Sequence, residues 1–339
     1  MIRSGRRPFV IVVIVVLICM ILTTSALVVG QGMPNSVLAY TQSLPKGNTD
    51  LYLLDLPTRV IVNLLRTPRE YEAEAVWSAD GQRFAYQRKV GDDLSQICIF
   101  EYAIHCYPAA GTFDTQPSLS SDGHSLAFLS AGSQLFVRDL RDNSLARLGL
   151  PYQRFFNPAW SPDGSQLAFV EVAEAVYNRQ LYISNPDLTH ARRITTPKLQ
   201  VLSPAWSPDG KQIVFVGTDD RGDNIYILDL DSGATRQISS GDFDATPLWS
   251  PDGSKILFTS VRTDFVDLYL VNADGTDEHA ITTDDEDNFA PIWSADGRQI
   301  IFVRTMDSGD HLTSLDLATG AIQPLTAGEG DQVDPALRP

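Results

Sequence analysis

One seven-residue phrase recurs along this chain at a nearly constant interval, and no other feature limits the possible folds so tightly. It reads Ala75-Val-Trp77-Ser-Ala-Asp80-Gly81, Pro117-Ser-Leu119-Ser-Ser-Asp122-Gly123 and Pro158-Ala-Trp160-Ser-Pro-Asp163-Gly164, and returns at Pro204, Pro247 and Pro291. All five tryptophans of the chain, Trp77, Trp160, Trp206, Trp249 and Trp293, occupy its third place, and Leu119 stands there once. Successive copies lie 42, 41, 46, 43 and 44 residues apart. Such a period marks an array of similar units, each too small to bury its own apolar faces and each packed on its neighbours.

The units read as strands. Between copies, runs of Ile, Val, Leu, Phe and Tyr alternate with Gly, Pro, Asp and Ser, the pattern of short strands joined by turns. In the unit from Pro204 the phrase forms a first strand, an Asp-Gly turn follows, and apolar runs at 212–216, 224–228 and 235–238 supply three more. Asp bonds its own backbone two residues on, and Gly takes the positive φ that closes a tight hairpin. Four antiparallel strands at this period, here A to D, make a blade of a β-propeller. The strand A tryptophan supplies an apolar plate between adjacent blades. The chain ends complete the count: residues 36–65 carry B, C and D without an A, while Asp334-Pro-Ala-Leu337-Arg-Pro339 is a spare A, Leu337 lying 44 residues after Trp293. The expected fold is all-β, a seven-bladed β-propeller of four-stranded antiparallel blades, closed by the C-terminal strand so that no sheet edge stays open.

The first 35 residues are of another kind. Arg3, Arg6 and Arg7 precede 22 uncharged residues at 9–30, enough to cross a hydrocarbon core of about 30 Å as a helix. Positive charge stays on the cytoplasmic side. The expected order is a basic cytoplasmic tail (1–8), one N-terminal transmembrane helix or signal anchor (9–30), a linker (31–35) and the propeller (36–339) outside the cell membrane, extracytoplasmic or periplasmic. A signal peptide cleaved after Ala26 or Gly30 is the alternative. Five linker residues span at most about 17 Å, which keeps the propeller close to the membrane. The exported body carries 23 basic against 42 acidic side chains, which disfavours nucleic acid and anionic lipid heads as partners and suits a soluble, monomeric propeller.

The repeats resemble the WD-like repeats of TolB-type propellers, whose Pro-x-Trp-Ser-Pro-Asp-Gly and following Ile-Ala-Phe-like strand are met nearly letter for letter at 158–169, 204–215 and 247–258. The resemblance covers 36–339 and implies the fold while saying little about function. TolB itself has six blades and an extra N-terminal α/β domain that this sequence does not show, so its binding to the peptidoglycan-associated lipoprotein is not carried over. Similar repeats occur in tricorn-type proteases and beside the hydrolase of prolyl oligopeptidase-like enzymes, whose catalytic domains are not found here.

Chemistry is sparse. A hydrolase of the last kind needs a Gly-x-Ser-x-Gly elbow; the nearest match, Gly123-His-Ser125-Leu-Ala127, already belongs to an A-to-B hairpin. His105, His124, His190, His279 and His311 occupy unrelated places in the repeat and do not converge as a metal site requires. No catalytic residue, metal or cofactor is expected. Thr283-Asp-Asp-Glu-Asp-Asn288 offers oxygen ligands suited to Ca²⁺ but matches no defined calcium loop. Cys98 and Cys106 lie on two runs folded back about Tyr102, where they form a cross-strand disulfide or remain two buried thiols.

Propeller geometry gathers the D-to-A and B-to-C loops on one face, with the residues just ahead of strand A ringing the channel mouth. Four and three places before the Pro slot stand Tyr71-Glu72, Phe113-Asp114, Arg154-Phe155, Gln200-Val201, Phe243-Asp244, Asp287-Asn288 and Asp331-Gln332. Glu74 and Asp334 add to an acidic mouth in which Arg154 is the lone cation of these pairs. Turn capping alone accounts for such acids; the functional alternative is an aromatic and acidic funnel for a basic peptide segment, a cation or a glycan. The sequence therefore reads as a non-enzymatic, membrane-anchored propeller that binds a protein or peptide, such as an envelope protein, at its loop-rich acidic face. The alternative is a carbohydrate-active or lyase-type propeller, which needs paired, buried acids with raised pKa values. A docking platform for another membrane protein needs an apolar patch on the membrane side.

Overall fold

The computed structural model describes residues 36–43, 49–65, 70–91, 94–101, 103–130, 133–149, 153–173, 178–328 and 330–339; the expected tail, membrane segment and linker at 1–35 lie outside the described residues. Among the described residues the regular elements are strands, and no helix is long and apolar enough to cross a membrane. The chain opens with β1 (Val37–Ser43), β2 (Thr49–Asp55) and β3 (Val60–Asn63), then β4 (Tyr71–Trp77), β5 (Phe84–Val90), β6 (Leu94–Phe100) and β7 (Ile104–Cys106). Next come β8 (Thr115–Leu119), β9 (Ser125–Ser130), β10 (Gln134–Asp139) and β11 (Leu145–Leu148), then β12 (Arg154–Trp160), β13 (Leu167–Ala173), β14 (Asn178–Ser184) and β15 (Arg192–Arg193). They are followed by β16 (Gln200–Trp206), β17 (Gln212–Asp219), β18 (Gly222–Asp229) and β19 (Thr235–Gln237), and by β20 (Asp244–Trp249), β21 (Lys255–Val261), β22 (Val266–Asn272) and β23 (His279–Ala280). The last are β24 (Asn288–Trp293), β25 (Gln299–Met306), β26 (Gly309–Asp316), β27 (Ile322–Pro324) and β28 (Gln332–Leu337).

From β8 to β27 these strands form five separate four-stranded sheets of antiparallel neighbours. The other eight form one sheet in which β28, β1, β2 and β3 meet β4 to β7 through a single parallel contact, Thr49 with Tyr71. The strand carrying the repeated phrase lies innermost: β4 packs on β8, β8 on β12, β12 on β16, β16 on β20, β24 on β28 and β28 on β4. This cyclic order is that of a β-propeller. The tail read as a spare strand A is β28, which pairs with β1 through Leu38 with Leu337, Ala39 with Ala336 and Gln42 with Gln332.

The repeated phrase has a local and an inter-sheet role. In all six copies the serine hydroxyl donates to the aspartate two places on, at 2.6 to 2.7 Å. The same carboxylate accepts the N–H two residues further, and the serine oxygen accepts the N–H that opens the next strand. Gly253, at φ 72°, shows why glycine ends the phrase. Between sheets the indole, buried at Trp160 and Trp206 and half-buried at Trp77 and Trp249, donates its N–H to a carbonyl of the preceding innermost strand: Trp77 to Ala336, Trp160 to Ser118 and Trp206 to Ala159 at 3.0 Å, Trp249 to Ala205 at 3.2 Å. The core is a series of inter-sheet layers, such as Val170, Leu181 and Ile183 against Val201, Trp206 and Phe215. Cys98 and Cys106 are cross-strand partners on β6 and β7 and are joined as a disulfide.

Candidate binding face and central channel

Every innermost strand breaks register at the same place, as between Ala73 and Val76, Leu202 and Ala205, or Phe289 and Ile292. The residue just before the Pro slot takes a positive φ in each: Glu74, Gln116, Asn157, Ser203, Thr246, Ala290 and Asp334 all lie between 47° and 54°. This β-bulge adds one residue and turns a side chain inward. Proline is tolerated beside it because the disrupted ladder asks for no N–H there. Six of these residues, Gln116 through Asp334, line a central cavity of about 450 Å³ together with the prolines that follow them.

A side-chain relay runs around part of this ring. The Glu74 carboxylate accepts the Gln116 N–H at 2.6 Å, Gln116 Oε1 accepts the Asn157 N–H at 2.8 Å, and Asn157 Oδ1 accepts the Ser203 N–H at 3.4 Å. Among the described residues no side chain accepts from the N–H groups of Thr246, Ala290 or Asp334, because Ser203, Thr246 and Ala290 are too short to continue the relay. Burial lifts the Glu74 carboxyl above the usual range; the Gln116 N–H opposes this and the nearby Asp334 charge reinforces it. Burial, then Asp334 and Glu74, push the Tyr71 hydroxyl up as well. Tyr71, Glu74 and Asp334 thus share one acidic corner of the channel.

The mouth differs from the sequence expectation. The second member of each pair does not ring it: Glu72, Asp114, Phe155, Asp244 and Asn288 are buried. Strand A begins at or next to these residues, so alternation sends neighbouring side chains to opposite sides. Asp114 accepts the Ala110 N–H at 3.1 Å, and burial lifts its carboxyl above the usual range. Asp244 accepts the Ser260 hydroxyl at 2.6 Å and pairs at 3.3 Å with Arg262, which also pairs with Glu278 and lies 4.2 Å over the Tyr269 ring. Asn288 donates to Asp284 and to the Glu286 carbonyl. These groups fasten loops to blades.

The first members stay outside. Tyr71, Phe113 and Phe243 are 42%, 43% and 64% exposed, and Arg154 and Asp331 are also exposed. Half-buried Asp287 accepts the Val266 N–H at 2.8 Å, and Asp331 accepts the Asp310 N–H at 3.2 Å, so both cap hairpin ends. Val90 and Leu94, partners across the β5–β6 hairpin, lie exposed beside Tyr71 and Phe113. The face is therefore rimmed by aromatic and aliphatic side chains, with Glu74 and Asp334 inside the rim. Gln116 and Asn157 were missed in the sequence although they stand in the same column as Glu74 and Asp334. Of the histidines, His311 is buried, 2.6 Å from Gln332 Oε1 and 2.7 Å from the Ser308 hydroxyl, tying β26 to β28. Among the described residues no three His, Cys, Asp or Glu side chains converge as metal ligands.

The family model of the TolB beta propeller domain matches residues 152–339, more than half of the chain. The chain belongs to the TolB β-propeller family. A comparison with curated proteins found no match. Among solved structures, TolB from Acinetobacter baumannii superposes with a TM-score of 0.54 at 18% identity, over 90% of this chain and 67% of that one. Oligogalacturonate lyase from Vibrio parahaemolyticus gives 0.65 at 15%, over 84% and 92%, and a puromycin-hydrolyzing peptidase from Mycobacterium tuberculosis 0.63 at 17%, over 78% and 46%. Likeness at these identities concerns the fold alone, a propeller shared by TolB, a lyase and a peptidase.

Proposed function

We propose that this TolB-family chain is a closed ring of seven blades, held at a cell membrane by residues 9–30 with the propeller outside, and that it binds a protein or peptide at its D-to-A loop face without performing chemistry. The eight-stranded sheet divides at its single parallel contact into two sets of four, which supports the blade number. One observation carries the binding reading: Tyr71, Phe113 and Phe243 stand exposed at the loop ends of the blades whose innermost strands line a channel of prolines and small polar residues. Tyr and Phe side chains are enriched in protein interfaces relative to the rest of the surface. Glu74 and Asp334 inside that rim favour a basic segment, a preference expressed in association rate and partner choice. Leu56 N–H bonds the Ser36 carbonyl and Arg338 N–H the Val37 carbonyl, so the chain enters β1 at the hairpin face. An anchor at 9–30 therefore leaves the loop face turned away from the membrane and open to an envelope partner.

The test is a pull-down from envelope extract with the detergent-solubilised full chain, comparing wild type with Tyr71→Ala, Phe113→Ala and Phe243→Ala combined. A partner held by wild type and lost by the variant is the expected result. Equal capture by both sinks the proposal. The lyase-type reading is supported by Glu74, whose carboxyl is lifted beside Asp334; release of unsaturated sugars from polygalacturonate, abolished by Glu74→Gln, would select it instead.

A further inference from the structure

At its hairpin end the channel opens into a second cavity of about 480 Å³, walled by Trp77, Trp160, Trp293, Leu119 and Leu337. Both departures from tryptophan in the third place of the phrase are in this wall. At four places the indole N–H reaches the preceding strand's carbonyl one residue past the Pro slot, at Ala336, Ser118, Ala159 and Ala205. The equivalent carbonyls facing Leu119 and Leu337 belong to Val76 and Ile292, which also line the cavity, and leucine has no N–H to give them. Trp293 Nε1 is buried and finds no hydrogen-bond partner among the described residues. The cavity thus combines aromatic and aliphatic walls, two carbonyls whose usual indole partner is missing, and one unpaired buried donor, a state that costs free energy until it is satisfied.

We infer that this cavity is a binding site for the tryptophan side chain of a partner polypeptide, seated where the repeat's own indole is missing, with its N–H on the Val76 or Ile292 carbonyl. Residues 1–35 contain no Trp or Tyr, so that segment does not supply such a ring, and the occupant inferred here is a second polypeptide. The site lies on the hairpin face, opposite the aromatic rim, and rests on the proposed anchoring only for where the partner is met: at the membrane surface.

The experiment is a ¹⁹F NMR titration of the detergent-solubilised full chain with N-acetyl-5-fluorotryptophanamide. Saturable binding to wild type is expected, weakened at least tenfold by Leu119→Trp or by Leu337→Trp, each of which restores an indole to its own slot. Unlabelled N-acetyltryptophanamide should displace the probe and N-acetylleucinamide should not. Thermal unfolding of the variants shows that the repeat is intact; if one fails to fold, the other and the competition decide. No saturable binding to wild type, or equal binding by wild type and the tryptophan variants, overturns the inference. Loss of probe binding in the Tyr71, Phe113 and Phe243 variant would also overturn it, moving the probe to the loop face and leaving that proposal standing.

Discussion

The two parts of the ring reach one backbone geometry by unequal means. From residue 153 on, the phrase keeps Trp in its third place in every full copy, and the sheets up to β27 are separate and four-stranded. Before it, Ala75 stands in the Pro slot and Leu119 in the Trp slot, two sets share one sheet, and other fastenings appear. The Cys98–Cys106 disulfide ties β7 to β6, Arg83 reaches both the Gly123 carbonyl and Glu101, and Arg338 reaches the Gly81 carbonyl. Yet the bulge at positive φ is present in both parts without exception. The repeat specifies a backbone path, and the tryptophan is one of several ways to hold it.

Five variants probe that contrast, from the largest expected effect to the smallest. Trp206→Ala should cost about 4 kcal/mol, the range of large aromatic truncations, and Leu119→Ala nearer 2 kcal/mol, read by denaturant unfolding; equal costs would erase the distinction between the parts. Replacing Cys98 and Cys106 by serine should remove about 2 kcal/mol for so short a loop, with faster amide exchange confined to β4–β7. Exchange that quickens across β12–β27 would show that the two parts do not fold as separate units.

Asp252→Asn should cost about 1 kcal/mol near neutral pH, the scale of a lost charge-assisted bond. The Ser250 hydroxyl and the Ser254 N–H hold the Asp252 carboxyl down at about 2. A depressed folded pKa gives stability that is complete above the unfolded value of about 3.9 and is lost as pH falls toward the folded one. Unfolding scans between pH 5 and pH 2, chosen to bracket that window, should therefore show a steeper decline for wild type than for the variant. Glu74→Gln should change stability least, by less than about 1 kcal/mol. Its carboxyl is lifted, so the acid contributes most at low pH and loses stability as pH rises through its folded pKa. The amide still accepts the Gln116 N–H while removing repulsion from Asp334, so the variant should be the more stable above the carboxylate range; a loss there would mean that the charge itself holds the relay.

Much of this architecture was legible because turn chemistry and period leave strong marks. Asp-Gly at each hairpin, tryptophan at one slot, the spare strand at 334–339 and the facing cysteines all appear where spacing places them. The bulge was not legible: Glu, Gln, Asn, Ser, Thr, Ala and Asp share no side-chain property at that column, because the constraint acts on φ. Nor was the burial of Asp114 and Asp244. An aspartate that caps a loop in water and one that fastens a loop through a serine and an arginine look alike in sequence, and only the starting point of the strand decides between them.

Pairing of β28 with β1 has a consequence for how such a protein is made. Among the described strands β28 leaves the ribosome last, so during synthesis the strands before it form an arc whose ends have nothing to bond. Until residue 332 emerges, β1 offers a bare ladder edge to any chaperone, protease or neighbouring chain that adds a strand. A product cut short there is marked as unfinished by its own first strand, so completion and protection arrive in the same step.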